Sequence, residues 1–280
     1  MPHTEKIRIG HNSGSDDAFM FYALAEGHIP TDNLEIECVV EDIESLNRRA
    51  LEAELEVTAI SVHAYPYVAD NYILAPCGAS IGDRFGPLLV SKDQMTRDAL
   101  AGKTVAIPGE MTTANLTMRL FQPDVRPEFV PFDKISEYVN DGQADAGLII
   151  HEGLLTYARA GLCKVVDLGE WWYEESGLPL PVGVYAVRRD IGEEKIHKIA
   201  SLLKQSIRYA LEHREQGLAY SMTYARDMEM ELADQFVGMF VNDYTLDFGV
   251  KGRAGVKELL RRGYESGIIS DSVEPEFVEI

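Results

Sequence analysis

Basic residues are scarce in this chain: 26 Lys and Arg stand against 46 Asp and Glu over 280 residues, a formal net charge of −20. So acidic a composition excludes the extended cationic face that duplex nucleic acid or an anionic membrane requires. It does not exclude a small anionic substrate, because a cleft can present amide dipoles inside an acidic shell. Cysteine is scarcer still. Cys38, Cys77 and Cys163 are widely spaced with no C-x-x-C, which excludes a disulfide framework and reads as free thiols in a reducing compartment. No run reaches the roughly 18 apolar residues of a membrane-spanning helix. The start, Met1 to Lys6, lacks the apolar core of a secretory signal. The expectation is a cytoplasmic protein with neither a membrane nor a nucleic-acid partner.

Cofactor motifs are missing too. There is no G-x-G-x-x-G and no Walker A lysine loop, so nucleotide binding of either kind lacks support. No two histidines sit at i, i+4 and no Cys/His cluster exists, which argues against a tight zinc site. No cofactor is expected. What the chain does have is an apolar fraction of 46%, enough for a sizeable core.

Strand and helix signals alternate along it. Apolar patterning predicts strands at 6–10, 34–40, 57–62, 72–75 and 86–90. Helices fall between them, from Asp16 or Asp17 to near Gly27, over 43–55 and over 64–70. A second set has strands at 103–107, 128–131, 144–150 and 164–168, with helices starting at Thr112-Thr113, over 135–140 and over 154–160. Gly177-Leu178-Pro179-Leu180-Pro181 breaks the pattern and a strand at 182–187 leads back. The tail reads as helices at 194–211, 216–226, 231–241 and 252–264. Two α/β lobes result, residues 1–90 with 186–280 as a discontinuous lobe and 91–185 inserted in it. That is a two-lobed, periplasmic-binding-protein-like (type II) fold with a ligand cleft between the lobes. A single doubly wound domain is the alternative, and the sequence leaves monomer or homodimer open.

In open α/β folds ligands bind beyond the carboxyl ends of strands. His151 follows the apolar run Ala146-Gly147-Leu148-Ile149-Ile150, read as a buried parallel strand, and an imidazole there can move a proton near neutral pH. Ser61 ends the strand that begins at Val57 and can donate a hydroxyl to the same place. Two small, polar loops precede helices, one holding Ser15, Asp16 and Asp17, the other Thr112 and Thr113. Their free N–H groups can seat a carboxylate without Arg or Lys, although ordinary capping accounts for either loop alone. His11 and His63 also follow strands, whereas His197 and His213 lie on the helical tail and read as surface. Gly78-Ala79-Ser80-Ile81-Gly82 matches G-x-S-x-G but lacks the strand, sharp turn and helix of a nucleophile elbow, and reads as a loop. Trp171-Trp172 reads as packing near the crossing strands.

Four segments carry a family resemblance: 40–48 (VVEDIESLNR without its first Val), 147–152 (GLIIHE), 165–172 (VVDLGEWW) and 177–181 (GLPLP). With Tyr244-Thr245-Leu246-Asp247 they run in register over nearly the whole chain and resemble the 1,4-dihydroxy-6-naphthoate synthases of the futalosine route to menaquinone. The resemblance implies a carbon–carbon lyase converting cyclic dehypoxanthine futalosine to 1,4-dihydroxy-6-naphthoate, with His151 as general base and no cofactor. It places substrate binding on Ala59, Ile60 and Ser61 and on Thr112 and Thr113; Ser15 and Asp16 join them from the loop reading. One loop departs. Where the family reads close to S-P-C-P-N-D-T, this chain has His11-Asn12-Ser13-Gly14-Ser15-Asp16-Asp17-Ala18, and the extra carboxylate is expected to repel an anionic substrate at a cost of order 1 kcal/mol. A solute-binding or sensor paralogue of the same fold and a chorismate dehydratase are the rival readings.

Overall fold

Alternating apolar residues make a stable strand only where something covers the face they share, and this chain solves the problem with two separate sheets. The computed structural model describes residues 5–224 and 229–280. The chain opens with β1 (Glu5–Asn12), α1 (Ser15–Ala25), β2 (Leu34–Glu41), α2 (Ile43–Leu51) and β3 (Val57–Ser61). A short α3 (Tyr65–Val68), β4 (Tyr72–Leu74) and β5 (Ser80–Gly82) follow. Next come β6 (Leu88–Ser91), β7 (Thr104–Ile107), α4 (Thr113–Phe121), β8 (Arg126–Phe129) and α5 (Ile135–Asn140). The middle of the chain ends with β9 (Ala146–Ile149), α6 (Gly153–Thr156), β10 (Cys163–Asp167) and α7 (Leu168–Ser176). The return strand β11 (Leu180–Arg188) leads into α8 (Glu193–Glu212), α9 (Arg214–Ser221), α10 (Met230–Phe240), α11 (Asp243–Leu246) and α12 (Gly249–Glu265).

The first sheet has the order β2-β1-β3-β11-β4, with β5 on the far end of β11; the second has the order β10-β6-β9-β7-β8. Strands change sheet between Gly82 and Leu88 on the way out and between Asp167 and Leu180 on the way back. The first sheet thus draws on both ends of the chain and the second on its middle, with β6 in the second sheet and all of β11 in the first. The two crossings meet backbone to backbone. A Cβ at Gly82 would lie 1.8 Å, and one at Gly169 1.9 Å, from the carbonyl oxygen of Phe85, so neither position accepts a side chain as the chain stands.

Burial follows the strand period. In β3, Val57 and Ala59 face one core with α1 and α8, while Ile60 faces the opposite core with α12. α1 is apolar all round and correspondingly enclosed: Ser15 through Leu24 are buried, packed against α8, α9 and α10. β9 pairs parallel with β7 but antiparallel with β6, so the all-parallel surroundings expected for the strand before His151 are half right. The outward crossing forces this, because β6 enters the second sheet from the first.

Three elements differ from the sequence reading. Residues 80–82 form β5, paired with β11, and not a loop. α7 was not expected, although its signals are present: the Asp167 carboxylate accepts from the amides of Gly169 and Glu170, and Gly177 ends the helix in the left-handed conformation at φ 70°. It buries Trp172, whose indole N–H donates to the carbonyl of Pro179 at 3.2 Å. The helix expected over 216–226 is found at Arg214–Ser221; Ala225 and Arg226 lie outside the described residues. Among the described residues no helix is long and apolar enough to cross a membrane.

β9 is held by a close approach that glycine permits. A Cβ on Gly147 would stand 2.5 Å from Cγ2 of Ile135 and 2.7 Å from Cγ2 of Val139, both on α5. Gly147→Ala is therefore expected to overpack this interface and destabilise the fold by about 1–3 kcal/mol. Urea unfolding checks this; an unchanged midpoint would show that α5 yields freely.

Candidate active site

The carboxyl ends of β1, β3 and β9 and the amino-terminal ends of α1 and α4 converge on one cavity of about 70 Å³, walled on a further side by Val182–Tyr185 of β11. Of the residues expected there, Asp16, Ala59, Ser61, Thr112, Thr113 and His151 line it. Ser15 does not line it but holds Glu152, which does. Ile60 is excluded by strand alternation: its side chain is fully buried in the core on the other face of the sheet.

His151 stands one residue beyond the apolar run, its ring edge-on to Phe132 with centroids 5.0 Å apart at 84°. Gly153 makes room for it, since a Cβ there would come within 3.0 Å of the ring's Cε1. Ser61 is oriented by a residue that the sequence reading missed. Buried Asn47 of α2 donates from Nδ2 to the Ser61 hydroxyl at 3.1 Å, and its Oδ1 accepts from the Ser61 amide at 2.8 Å. With the hydroxyl oxygen already accepting, its proton can be directed into the cavity. The two threonines divide their work. Thr112 caps α4, donating to the carbonyl of Gly109 at 2.8 Å and accepting from the amide of Asn115 at 3.2 Å. The Thr113 hydroxyl accepts from the His63 amide at 3.4 Å, which leaves its own proton to offer.

Two other histidines, His63 and His11, are structural. His63 meets the carbonyl of Thr112 through Nδ1 at 3.2 Å and so ties the lobes together; burial pushes its pKa down to about 4, leaving it neutral. His11 is fully buried, stacked on Phe21 at 5.1 Å, with Nδ1 at 2.9 Å from the carbonyl of Asn12. Neither lines the cavity.

The first turn of α1 is where the geometry departs most from expectation. Its amide and dipole were read as a seat for a ligand carboxylate, but the seat is filled by Glu152 from the other lobe. Oε1 of Glu152 accepts from the Ser15 amide at 3.1 Å and the Ser15 hydroxyl at 2.8 Å. A protein carboxylate takes the same donors that a ligand would. Behind it, Asp17 accepts from the Tyr185 hydroxyl at 2.6 Å and the Asn12 amide at 3.1 Å, and burial holds its carboxyl well above the usual range. Burial first, and then the charge of Glu152, push Asp16 up to about 6. Further along the lobe boundary, Glu44 Oε2 accepts from the Met111 amide at 3.0 Å and Arg48 pairs with Glu110 at 3.2 Å. Among the described residues no group of three or more His, Cys, Asp or Glu is placed to hold a metal ion.

Comparison with known proteins shows the family. The family model described as menaquinone biosynthesis matches residues 7–265. A curated 1,4-dihydroxy-6-naphthoate synthase of Thermus thermophilus is 39% identical over 98% of this chain and 100% of its own length. The chain belongs to the menaquinone biosynthesis family. A crystal structure of an Archaeoglobus fulgidus protein superposes with a TM-score of 0.91 at 45% identity, covering 95% of this chain and all of that one. The alkanesulfonate-binding protein of Xanthomonas axonopodis, at 11% identity and a TM-score of 0.73 over 96% of each chain, shows the two-lobed binding-protein fold alone.

In this member of the menaquinone biosynthesis family, the buried carboxyl of Asp16 has a cost that depends on pH. Its value of about 6 in the fold, against an ordinary 3.8, means that the folded state holds the proton more tightly than the unfolded chain. The resulting stability is lost as pH rises from about 4 to about 6 and is constant above, an effect of up to roughly 3 kcal/mol. Asp16→Asn is expected to unfold at higher urea than wild type at pH 8 and at a similar concentration at pH 3.5. A wild-type advantage at pH 8 would contradict the assignment.

Proposed function

We propose that this chain is a carbon–carbon lyase that forms 1,4-dihydroxy-6-naphthoate from cyclic dehypoxanthine futalosine, with His151 as general base. The observation that carries the proposal is the position of His151 in the wall of a cleft cavity that also receives the hydroxyls of Ser61 and Thr113. A neutral imidazole takes a proton from the substrate, the carbon–carbon bond to the sugar-derived fragment breaks, and elimination of that fragment is driven by formation of the aromatic naphthoate. Ser61 and Thr113 offer hydrogen-bond donors to oxygens on which charge builds during the step. The likeness to the Thermus thermophilus synthase over nearly the full length of both chains supports the substrate assignment.

The cavity of about 70 Å³ is far below the roughly 300–1,000 Å³ of ordinary ligand sites, so a bicyclic substrate carrying a sugar enters only when the lobes part. A more open groove of about 550 Å³, lined by Ser13, Asp42, Gly109 and Phe132 among others, lies next to it at the lobe boundary. The polar ties across the boundary close the site around the reacting centre and exclude water.

An anaerobic assay with cyclic dehypoxanthine futalosine, following naphthoate by mass, tests this reading. Wild type is expected to form product and His151→Asn to lose about 10²–10⁴-fold in turnover. Tight binding without product would indicate a solute-binding paralogue, and turnover of chorismate instead would indicate a dehydratase.

A further inference from the structure

The cavity holds a carboxyl that the proposed reaction leaves unused. Asp16 lines the same space as His151 and is only 7% exposed. The titratable groups around it come from every side: Asp17 on its own helix, Tyr185 from β11, and Glu152 and His151 from the loop after β9. Ser80 of β5 reaches its Oδ2 at 3.4 Å. Among the described residues, three carboxyl groups line this small cavity and neither Lys nor Arg does. A second negative charge brought to Asp16 by Glu152 therefore meets no Lys or Arg among the described residues of the wall, and a proton relieves it.

We propose that Asp16 binds the ligand as the neutral carboxylic acid, donating a hydrogen bond to a carbonyl or carboxylate oxygen, with Glu152 of the other lobe keeping the proton in place. The proposal rests on reading the cavity as a naphthoate site. A carboxylic acid offers one O–H donor and one carbonyl acceptor, so it presents to a ligand much what an asparagine amide does. The repulsion expected from an aspartate at this position then disappears, and the preferred ligand is one with an oxygen acceptor facing α1. A carboxyl lifted to about 6 is mostly charged at neutral pH before the ligand arrives, so binding draws a proton from solvent. Affinity then falls as pH rises above that value, by a factor approaching ten per pH unit.

Calorimetry with 1,4-dihydroxy-6-naphthoate, anaerobic, at pH 5.5, 6.5 and 7.5 and in two buffers of different ionisation enthalpy, measures that proton. Wild type is expected to take up close to one proton per ligand at pH 7.5, with affinity about tenfold weaker than at pH 6.5. Asp16→Asn is expected to take up none and to bind with an affinity independent of pH. A ligand-free readout accompanies it: the infrared difference between pH 5 and pH 8 is expected to contain a protonated carboxyl band that Asp16→Asn lacks. Naphthoate binding without proton uptake, or with uptake that persists in Asp16→Asn, overturns the role of Asp16 and leaves the synthase reading standing. The absence of the infrared band overturns it as well. If naphthoate does not bind at any pH while the band is present, the protonated state of Asp16 is supported and the synthase reading falls.

Discussion

Glu152 reaches from the inserted lobe to the first turn of α1, where the amide and hydroxyl of Ser15 both donate to one of its oxygens. That contact joins two parts of the chain 137 residues apart, and much of the site depends on it. It satisfies an amide that the helix leaves open, and it fixes the distance between the walls that carry Asp16 and His151. It also decides what the cleft can no longer do, since a helix end already holding a carboxylate is not available to a second anion. The donors left facing the cavity are the hydroxyls of Ser61 and Thr113, each with its oxygen engaged by a neighbour and its proton left to give.

Several other ties run across the same boundary. His63 meets the carbonyl of Thr112, Glu44 accepts from the Met111 amide, and Arg48 faces Glu110. The exposed ion pair between Arg48 and Glu110 adds little in water, whereas the contacts made by His63 and Glu44 are sheltered and made to backbone. These polar contacts stand beside apolar packing that also spans the boundary, where Met111, Leu116 and Trp172 share one buried core with Ile60, Leu259 and Leu260.

The strands and helices that build the site were legible because their signals are local. The alternation in β1 and β3, the Thr112 cap of α4 and the apolar run of β9 each lie within about ten residues. Ile60, expected in the site together with Ala59 and Ser61, has its side chain turned to the other face by alternation with them. α7 was overlooked behind its two tryptophans, yet Asp167 and Gly177 mark both ends. Other features had no local sign at all. Nothing near Asn47 announces that it orients Ser61 from another element, and nothing near Ser15 announces Glu152. His63 looked like a cleft group because it follows a strand; only the fold reveals that its ring is turned to the backbone of Thr112. Family likeness supplied the reaction, which no spacing of residues in this chain encodes.

The meeting point of the two crossings has a consequence for the cavity that distance alone would not suggest. Gly82 and Gly169 both press on the carbonyl of Phe85, and the ring of Phe85 stands edge-on to Phe240 at 5.2 Å, which is itself part of the cavity wall. A methyl group at either glycine has to move that carbonyl, and with it the Phe85 ring. The disturbance is handed on to the cavity through one aromatic contact. Substitutions at the junction would therefore reshape the cavity while touching none of the polar groups that line it, and the junction shapes the cleft as much as the cleft's own walls do.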